Sequence, residues 1–165
     1  MPRARKPPDF YRADTMHSDD SVGLLFRRVL ASLTQEVDRR LAPHDLTHAQ
    51  WVPLYKLFRG ECTTSAELAR DLQLDPAAVT RALDRLEAKG LVRRTRSQAD
   101  RRVVQLALTA DGRRVAPIVP AALAEVFNAH LAGFSADEWA TLIELLQRML
   151  SNGEALREAA VGQRA

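Results

Sequence analysis

Apolar positions along the chain recur mostly at three- and four-residue steps, and they switch to a strand-like pattern in only one region. From Ser18 onward, Val22, Leu25, Phe26, Val29, Leu33 and Val37 form one helical stripe, which should stop before Pro43. Thr47 with Gln50 three residues on is a capping-box signature, and Trp51, Leu54, Tyr55 and Phe58 supply the stripe of a second helix ending at Gly60. Pro53 lies early enough in it to be tolerated, with a bend. Thr64 and Glu67 form another capping box and open a short third helix with Leu68 and Leu72 inward, followed by a tight turn at Gln73 and Leu74. Asp75 then Pro76, an N-cap followed by a first-turn proline, mark the clearest helix start in the chain. That fourth helix should bury Val79, Leu83 and Leu86 and end at Lys89-Gly90, where glycine accepts the left-handed conformation.

After Gly90 the period shortens. Leu91 to Thr95 and Val103 to Leu108 read as two strands, and the polar segment Arg96 to Arg102 between them predicts a β-hairpin with a charged tip. Thr109 should cap a long helix beginning at Asp111, kinked by Pro117 and Pro120, running to about Leu131 and ending at Gly133. Ser135 with Glu138 opens a last helix through Trp139, Leu142, Ile143, Leu146, Met149 and Leu150. The predicted class is mainly α (α+β). Residues 1–17 form a Pro-rich, charged, flexible arm on which Phe10, Tyr11 and Met16 are available for packing, and residues 18–46 a dimerisation helix. Residues 47–112 form the lobe with the hairpin, 113–152 the C-terminal dimerisation helices and 153–165 a tail. The first and last helices are too apolar for a core of about 50 residues to cover, so they are expected to pair across a two-fold axis in a homodimer.

Charge sharpens this picture. The chain carries 24 Lys plus Arg against 21 Asp plus Glu, a formal charge of only +3, and Lys6, Lys56 and Lys89 are its sole lysines. Between residues 81 and 102, however, eight basic side chains face three acidic ones. A local arginine-rich patch on a nearly neutral chain points to one docking place for a polyanion, with a solvated charged face as the plainer alternative. The single cysteine, Cys62, excludes an intramolecular disulfide and a four-cysteine zinc site, and it suits a reducing, cytoplasmic compartment. No apolar signal region follows the basic start and no run reaches the roughly 18 apolar residues of a membrane span, so neither export nor membrane contact is expected.

Two short helices joined by a tight turn and followed by a basic two-stranded wing make a winged helix-turn-helix. The words that fill this frame are Leu83-Asp84-Arg85-Leu86-Glu87 with Lys89-Gly90-Leu91-Val92, then Asp100-Arg101-Arg102, then Leu108-Thr109 with Gly112. They resemble the signature of the MarR (multiple antibiotic resistance regulator) family, with similar length and helix order over about residues 18–152. The resemblance implies a ligand-responsive, homodimeric, DNA-binding repressor of a palindromic operator, nucleoid-associated when bound. It also implies a small aromatic acid as effector.

The residues themselves allow the same function. With Val79, Leu83 and Leu86 inward, the fourth helix offers Pro76, Ala77, Ala78, Thr80, Arg81, Asp84 and Arg85 outward. Small side chains at 77 and 78 let the backbone approach a major groove, or are simply good helix formers; Thr80 suits a phosphate or a thymine methyl, and Arg81 a guanine. Thr64 joins these candidate contacts. On the wing, Arg101 suits a narrow minor groove, Arg102 flanks it or ties the wing down, and Arg93, Arg94 and Arg96 are phosphate contacts or exposed strand charges. The resemblance implies that Asp100 positions an arginine. For the effector, His48, Trp51 and Tyr55 share one face of the second helix and Arg28 is placed for an anion, with Trp51 and Tyr55 as core residues the plainer reading. No G-x-S-x-G word, phosphate loop or H-E-x-x-H occurs, and the Thr47 cap keeps His44 off the helix carrying His48, so no enzyme, cofactor or metal site is expected. The alternatives from other classes are a winged-helix protein-interaction module and a small enzyme. Cys62 lies between the second and third helices, away from the early first-helix position at which the peroxide-sensing branch of the family carries its thiol, so an idle cysteine is expected.

Overall fold

Local capping decides where most of the helices begin and end. In a computed structural model of the chain, residues 9–14, 21–97 and 103–162 are described, Val161 by its backbone alone. Helix α1 (Val22–Leu41) starts at Ser21, whose Oγ accepts from the Leu24 N–H at 3.4 Å, and passes into a 3-10 turn at Ala42–His44. Helices α2 (His48–Phe58), α3 (Ser65–Asp71) and α4 (Pro76–Ala88) follow. At α2 the Gln50 Oε1 accepts from the Thr47 N–H at 3.2 Å, and at α3 the Thr64 N–H donates to Glu67 at 3.1 Å while Thr64 Oγ1 accepts from the Glu67 N–H at 3.2 Å. These are the predicted capping-box positions.

Helices α2, α3 and α4 all end in one double hydrogen bond, in which the two residues after the cap donate back into the last turn. For α4 the Gly90 N–H reaches the Glu87 carbonyl at 2.9 Å and the Leu91 N–H the Leu86 carbonyl at 2.9 Å. Gly90 has φ 68, as the sequence requires. At the turn between α3 and α4 the left-handed residue is Gln73, φ 51, where a side chain bears a cost of roughly 1 to 2 kcal/mol that glycine avoids.

The chain divides into two compact units, Met1–Val126 and Phe127–Ala165. The core of the first gathers Val37 and Leu41 of α1, Leu54 of α2, Leu68 of α3, and Val79, Leu83 and Leu86 of α4, all almost fully buried. Each such leucine or valine contributes about 1.5 to 3 kcal/mol on burial. Strands β1 (Val92–Arg96) and β2 (Val104–Leu108) pair antiparallel from Val92↔Leu108 to Arg96↔Val104, forming the wing. The segment before α3 also joins the sheet, an element the hairpin reading lacks. The Leu106 N–H donates to the Thr63 carbonyl at 2.8 Å, and Thr64 bridges to Gln105.

Three expectations need correction. The long helix after Thr109 is two helices, α5 (Ala110–Val115) and α6 (Ile118–His130). Pro117 lacks the N–H that would continue α5 and its ring opposes the carbonyl four residues back, whereas Pro120 falls in the first turn of α6, where N–H groups have no helical partner. The tail expected from 153 is helical, because α7 (Ala136–Gly162) continues through Gly153 into the strong helix formers Glu154 to Ala160. Phe58 is exposed, and Leu57 takes the buried position on α2. In the second unit, the predicted box opens α7 with Glu138 accepting from the Ser135 N–H at 2.8 Å. None of the described side chains of α7 is buried. No helix among the described residues is long and apolar enough to cross a membrane.

Gly112 marks the tightest approach in the first unit. A Cβ built there would lie 2.0 Å from the Leu91 carbonyl oxygen, a backbone atom that cannot step aside. Gly112→Ala is therefore expected to destabilise the protein by about 1 to 3 kcal/mol, through forced movement of α5 against the wing. Urea denaturation of the two proteins checks this, and equal midpoints would show that the approach is relieved at no cost.

Candidate nucleic-acid interface

The outward face of α4 is built by its N-cap. Asp75 Oδ1 accepts from the Ala77 N–H at 2.9 Å, so the helix starts at Pro76 with its first turn exposed. Pro76, Ala77, Thr80, Arg81, Asp84 and Arg85 are exposed and Ala78 half-buried, while Val79, Ala82, Leu83 and Leu86 point into the core. The Thr80 hydroxyl donates to the Pro76 carbonyl at 2.9 Å, which commits its proton within the helix and leaves its methyl group and oxygen lone pairs outward. Arg81 and Arg85, one turn apart, make no hydrogen bond or ion pair among the described residues. Two guanidinium groups thus project beside the small side chains of Ala77, Ala78 and Thr80, with the Asp84 carboxylate turned to Arg94.

The wing separates its arginines by strand alternation. Val92 is buried, and Arg94, two residues on, points to the same side, while Arg93 and Thr95 face outward. On that inner side Arg94 meets two carboxylates one turn apart on α4. Its Nη2 lies 2.6 Å from Asp84 Oδ1 and 2.6 Å from Glu87 Oε2, its Nε donates to Glu87 Oε2 at 2.8 Å, and its backbone N–H donates to Glu87 Oε1 at 3.2 Å. Arg94 is accordingly reassigned from phosphate contact to the tie between wing and α4, and Asp84 from the outward set to the same tie. The hydrogen bonds from Arg94 hold the Glu87 carboxyl below the usual carboxylate range and in turn raise the pKa of Arg94. The signal was present in the sequence as the period of two through Val92, Arg94 and Arg96 combined with carboxylates at 84 and 87.

Arg93 and Arg96 are exposed on the wing. Thr64 is occupied as the α3 cap and as the bridge to β2, a supporting role for a residue expected to meet DNA. Asp100, Arg101 and Arg102 lie outside the described residues. Among the effector candidates, Trp51 is 8% exposed and its Nε1 donates to Asp38 of α1 at 2.9 Å, which makes it a core residue joining α1 and α2. His48 is exposed and meets Trp51 edge-on, ring centroids 5.1 Å apart, and Tyr55 is half-buried. Arg28 is exposed ten residues before Asp38 on α1, about 15 Å along the helix axis, so the structure does not bring it to Trp51. Cys62 is buried, and burial pushes its thiol pKa up, the reverse of a reactive thiolate.

The recognition-type helix, its preceding helix and turn, and the paired wing define a winged helix-turn-helix transcription regulator, not an enzyme. A sequence profile described as the MarR family matches residues 46–104. The multiple antibiotic resistance protein MarR of Escherichia coli (strain K12) is 34% identical over 128 residues, 74% of this chain and 89% of that protein. A mutant of Escherichia coli MarR crystallised with operator DNA aligns with a TM-score of 0.71 at 32% identity, covering 78% of this chain and 92% of that one. The S. aureus MepR–DNA complex aligns with a TM-score of 0.74 at 25% identity, covering 80% and 98%. The chain belongs to the MarR family.

The Arg94 tie has a pH signature. Because the folded Glu87 carboxyl has a lowered pKa, its contribution is fully present above the unfolded value and is lost as pH falls through the folded one. Wing attachment should be constant between about pH 5 and 8 and loosen only below about 4.3. Hydrogen exchange at the Arg94 backbone N–H reads this directly. In Glu87→Gln that N–H should exchange faster already at neutral pH, and unchanged exchange would show that Glu87 does not hold the strand.

Proposed function

We propose that this chain is a homodimeric repressor that acts in the cytoplasm, binds an inverted-repeat operator in duplex DNA and releases it when a small aromatic acid binds. The observation that carries the reading is the outward face of α4, where Arg81 and Arg85 are exposed, without an ion-pair partner among the described residues, beside Ala77, Ala78 and Thr80. A helix with small residues near its start and arginines on one face suits the major groove, with Arg81 placed for the two acceptors of guanine. Arg93 and Arg96 on the wing supply charge for the flanking phosphates.

A second copy accounts for surface that the first leaves open. Leu25, Phe26, Val29 and Leu30 of α1 are exposed, as are Trp139, Ile143, Leu146 and Leu150 of α7, and folded monomers rarely present apolar stripes of that extent. Two-fold pairing presents two copies of α4, and the matching DNA is an inverted repeat. The operator-bound relative supports the DNA partner. Release by an effector requires only that the acid bind one arrangement of the dimer better than the other, and His48 and Tyr55 remain its candidate contacts. A panel of aromatic acids that shifts neither melting temperature nor operator affinity would remove the effector from the proposal.

The two kinds of DNA contact are separable by salt titration of variant dimers on an operator and on scrambled duplex. Arg81→Ala should cost about 1 to 3 kcal/mol on the operator and relax preference at one symmetric pair of base positions. Arg96→Ala should weaken both duplexes by similar factors and make the salt slope shallower by about one unit per subunit. A sedimenting monomer at micromolar concentration, or wild-type binding that ignores salt, would refute the proposal.

A further inference from the structure

The far end of α4 is held by a lysine that turns away from the outward face. Lys89 is the C-cap of α4, and its ammonium reaches the junction between α1 and α2. It donates to the Asp45 backbone carbonyl, lies 2.9 Å from Asp45 Oδ2 and donates to Gln50 Oε1 at 3.1 Å. An ammonium has three donors, and here three acceptors receive them. Two of the three acceptors, the Asp45 carbonyl and Gln50 Oε1, belong to groups that are themselves held in place. Asp45 sits in the left-handed region at φ 54 with its N–H on the Ala42 carbonyl at 2.9 Å. Gln50 is 4% exposed, and the same Oε1 accepts from the Thr47 N–H at 3.2 Å and the Thr47 hydroxyl at 3.3 Å. One oxygen therefore closes the start of α2 and anchors the end of α4.

We propose that Lys89 is a positioning residue for operator recognition, setting the angle of α4 against α1 and thereby the separation of the two recognition helices in the dimer. The inference rests on the reading of the protein as a dimer on an inverted repeat. Apolar packing on Val79, Leu83 and Leu86 holds α4 to the core but is non-directional, whereas three hydrogen bonds at one end fix an angle. The lever is long enough to matter. A helix of 13 residues is about 20 Å long, so a pivot of about 10° at the Lys89 end carries the Ala77 end about 3.5 Å, close to the rise of one base pair.

The test uses the full-length protein and inverted repeats whose half-sites are separated by a spacer lengthened or shortened one base pair at a time. Lys89→Met keeps the stem and removes the donors, and Asp45→Gly removes the side-chain acceptor while keeping the carbonyl and a residue that tolerates the left-handed region. Wild type should favour one spacing by about tenfold, and both variants should flatten that preference, losing about five- to tenfold on the best spacing and less than about twofold on its neighbours. Affinity for scrambled duplex and the salt slope should not change. Equal losses at every spacing with a shallower slope would show that Lys89 contacts phosphate and overturn the proposal, as would an unchanged preference in folded dimers of both variants. A wild-type protein that binds no spacing overturns the dimeric operator reading and this proposal together, whereas wild-type binding with no spacing preference overturns the positioning role alone.

Discussion

Leu91 is the residue around which the first unit is organised. Its N–H closes the last turn of α4 on the Leu86 carbonyl, its side chain is buried, and its carbonyl accepts from the Thr109 N–H at 3.1 Å while the α carbon of Gly112 packs against it. One residue thus joins the end of the recognition-type helix, the start of the wing and the first turn of α5. Because a backbone carbonyl in that position admits no Cβ opposite it, α5 has one approach to the wing, and β2 must enter α5 through Thr109. β1 begins directly after Leu91, and the side of it that faces α4 carries Arg94 to Asp84 and Glu87.

That geometry divides a run of positive charge into two populations. Counting residues 81–102 gives a net excess of five basic groups, a figure that already subtracts the two carboxylates that meet Arg94. Arg94 and Lys89 are spent inward and partly shielded, Arg94 against two carboxylates and Lys89 against one carboxylate and two neutral oxygens. Arg81, Arg85 and Arg93 face outward, and Arg96, on the side of the strand that carries Arg94, is exposed at its end. The inward pair matters through position. Surface ion pairs contribute about 0 to 1 kcal/mol of stability, so their effect lies in holding the wing and the C-terminal half of α4 in one arrangement.

Local chemistry was legible in the sequence and relative orientation was not. The boxes at Thr47, Thr64 and Ser135, the Asp75-Pro76 start and the Gly90 stop each depend on residues within four positions, and each appears where the sequence places it. The Thr63–Leu106 hydrogen bond joins segments more than 40 residues apart, so no window on either strand contains it. Arg94 was misassigned because its strand was read for charge without its alternation. The apolar stripe of α7 stops at Leu150, whereas the helix runs on to Gly162 through residues that follow no such stripe. Trp51 illustrates a limit of a different kind, since an aromatic on a helix face reads equally as core or as ligand contact until the Asp38 hydrogen bond is seen.

Helix α1 shows how core and recognition are connected. Its C-terminal third, with Val37 and Leu41, belongs to the core of the first unit, while Leu25 to Leu30 are uncovered. Both polar ties from the lobe attach near the covered end, Trp51 at Asp38 and Lys89 at Asp45. A helix transmits displacement along its length with little internal give, so whatever fixes the uncovered end fixes α4 through those two attachments. Under the proposed release by an effector, rotation of the two copies as rigid bodies would leave both attachments intact, whereas a change in the angle of α4 would alter at least one of them. Occupying the exposed arginines directly is the other way to block DNA, and it would leave α1 undisturbed.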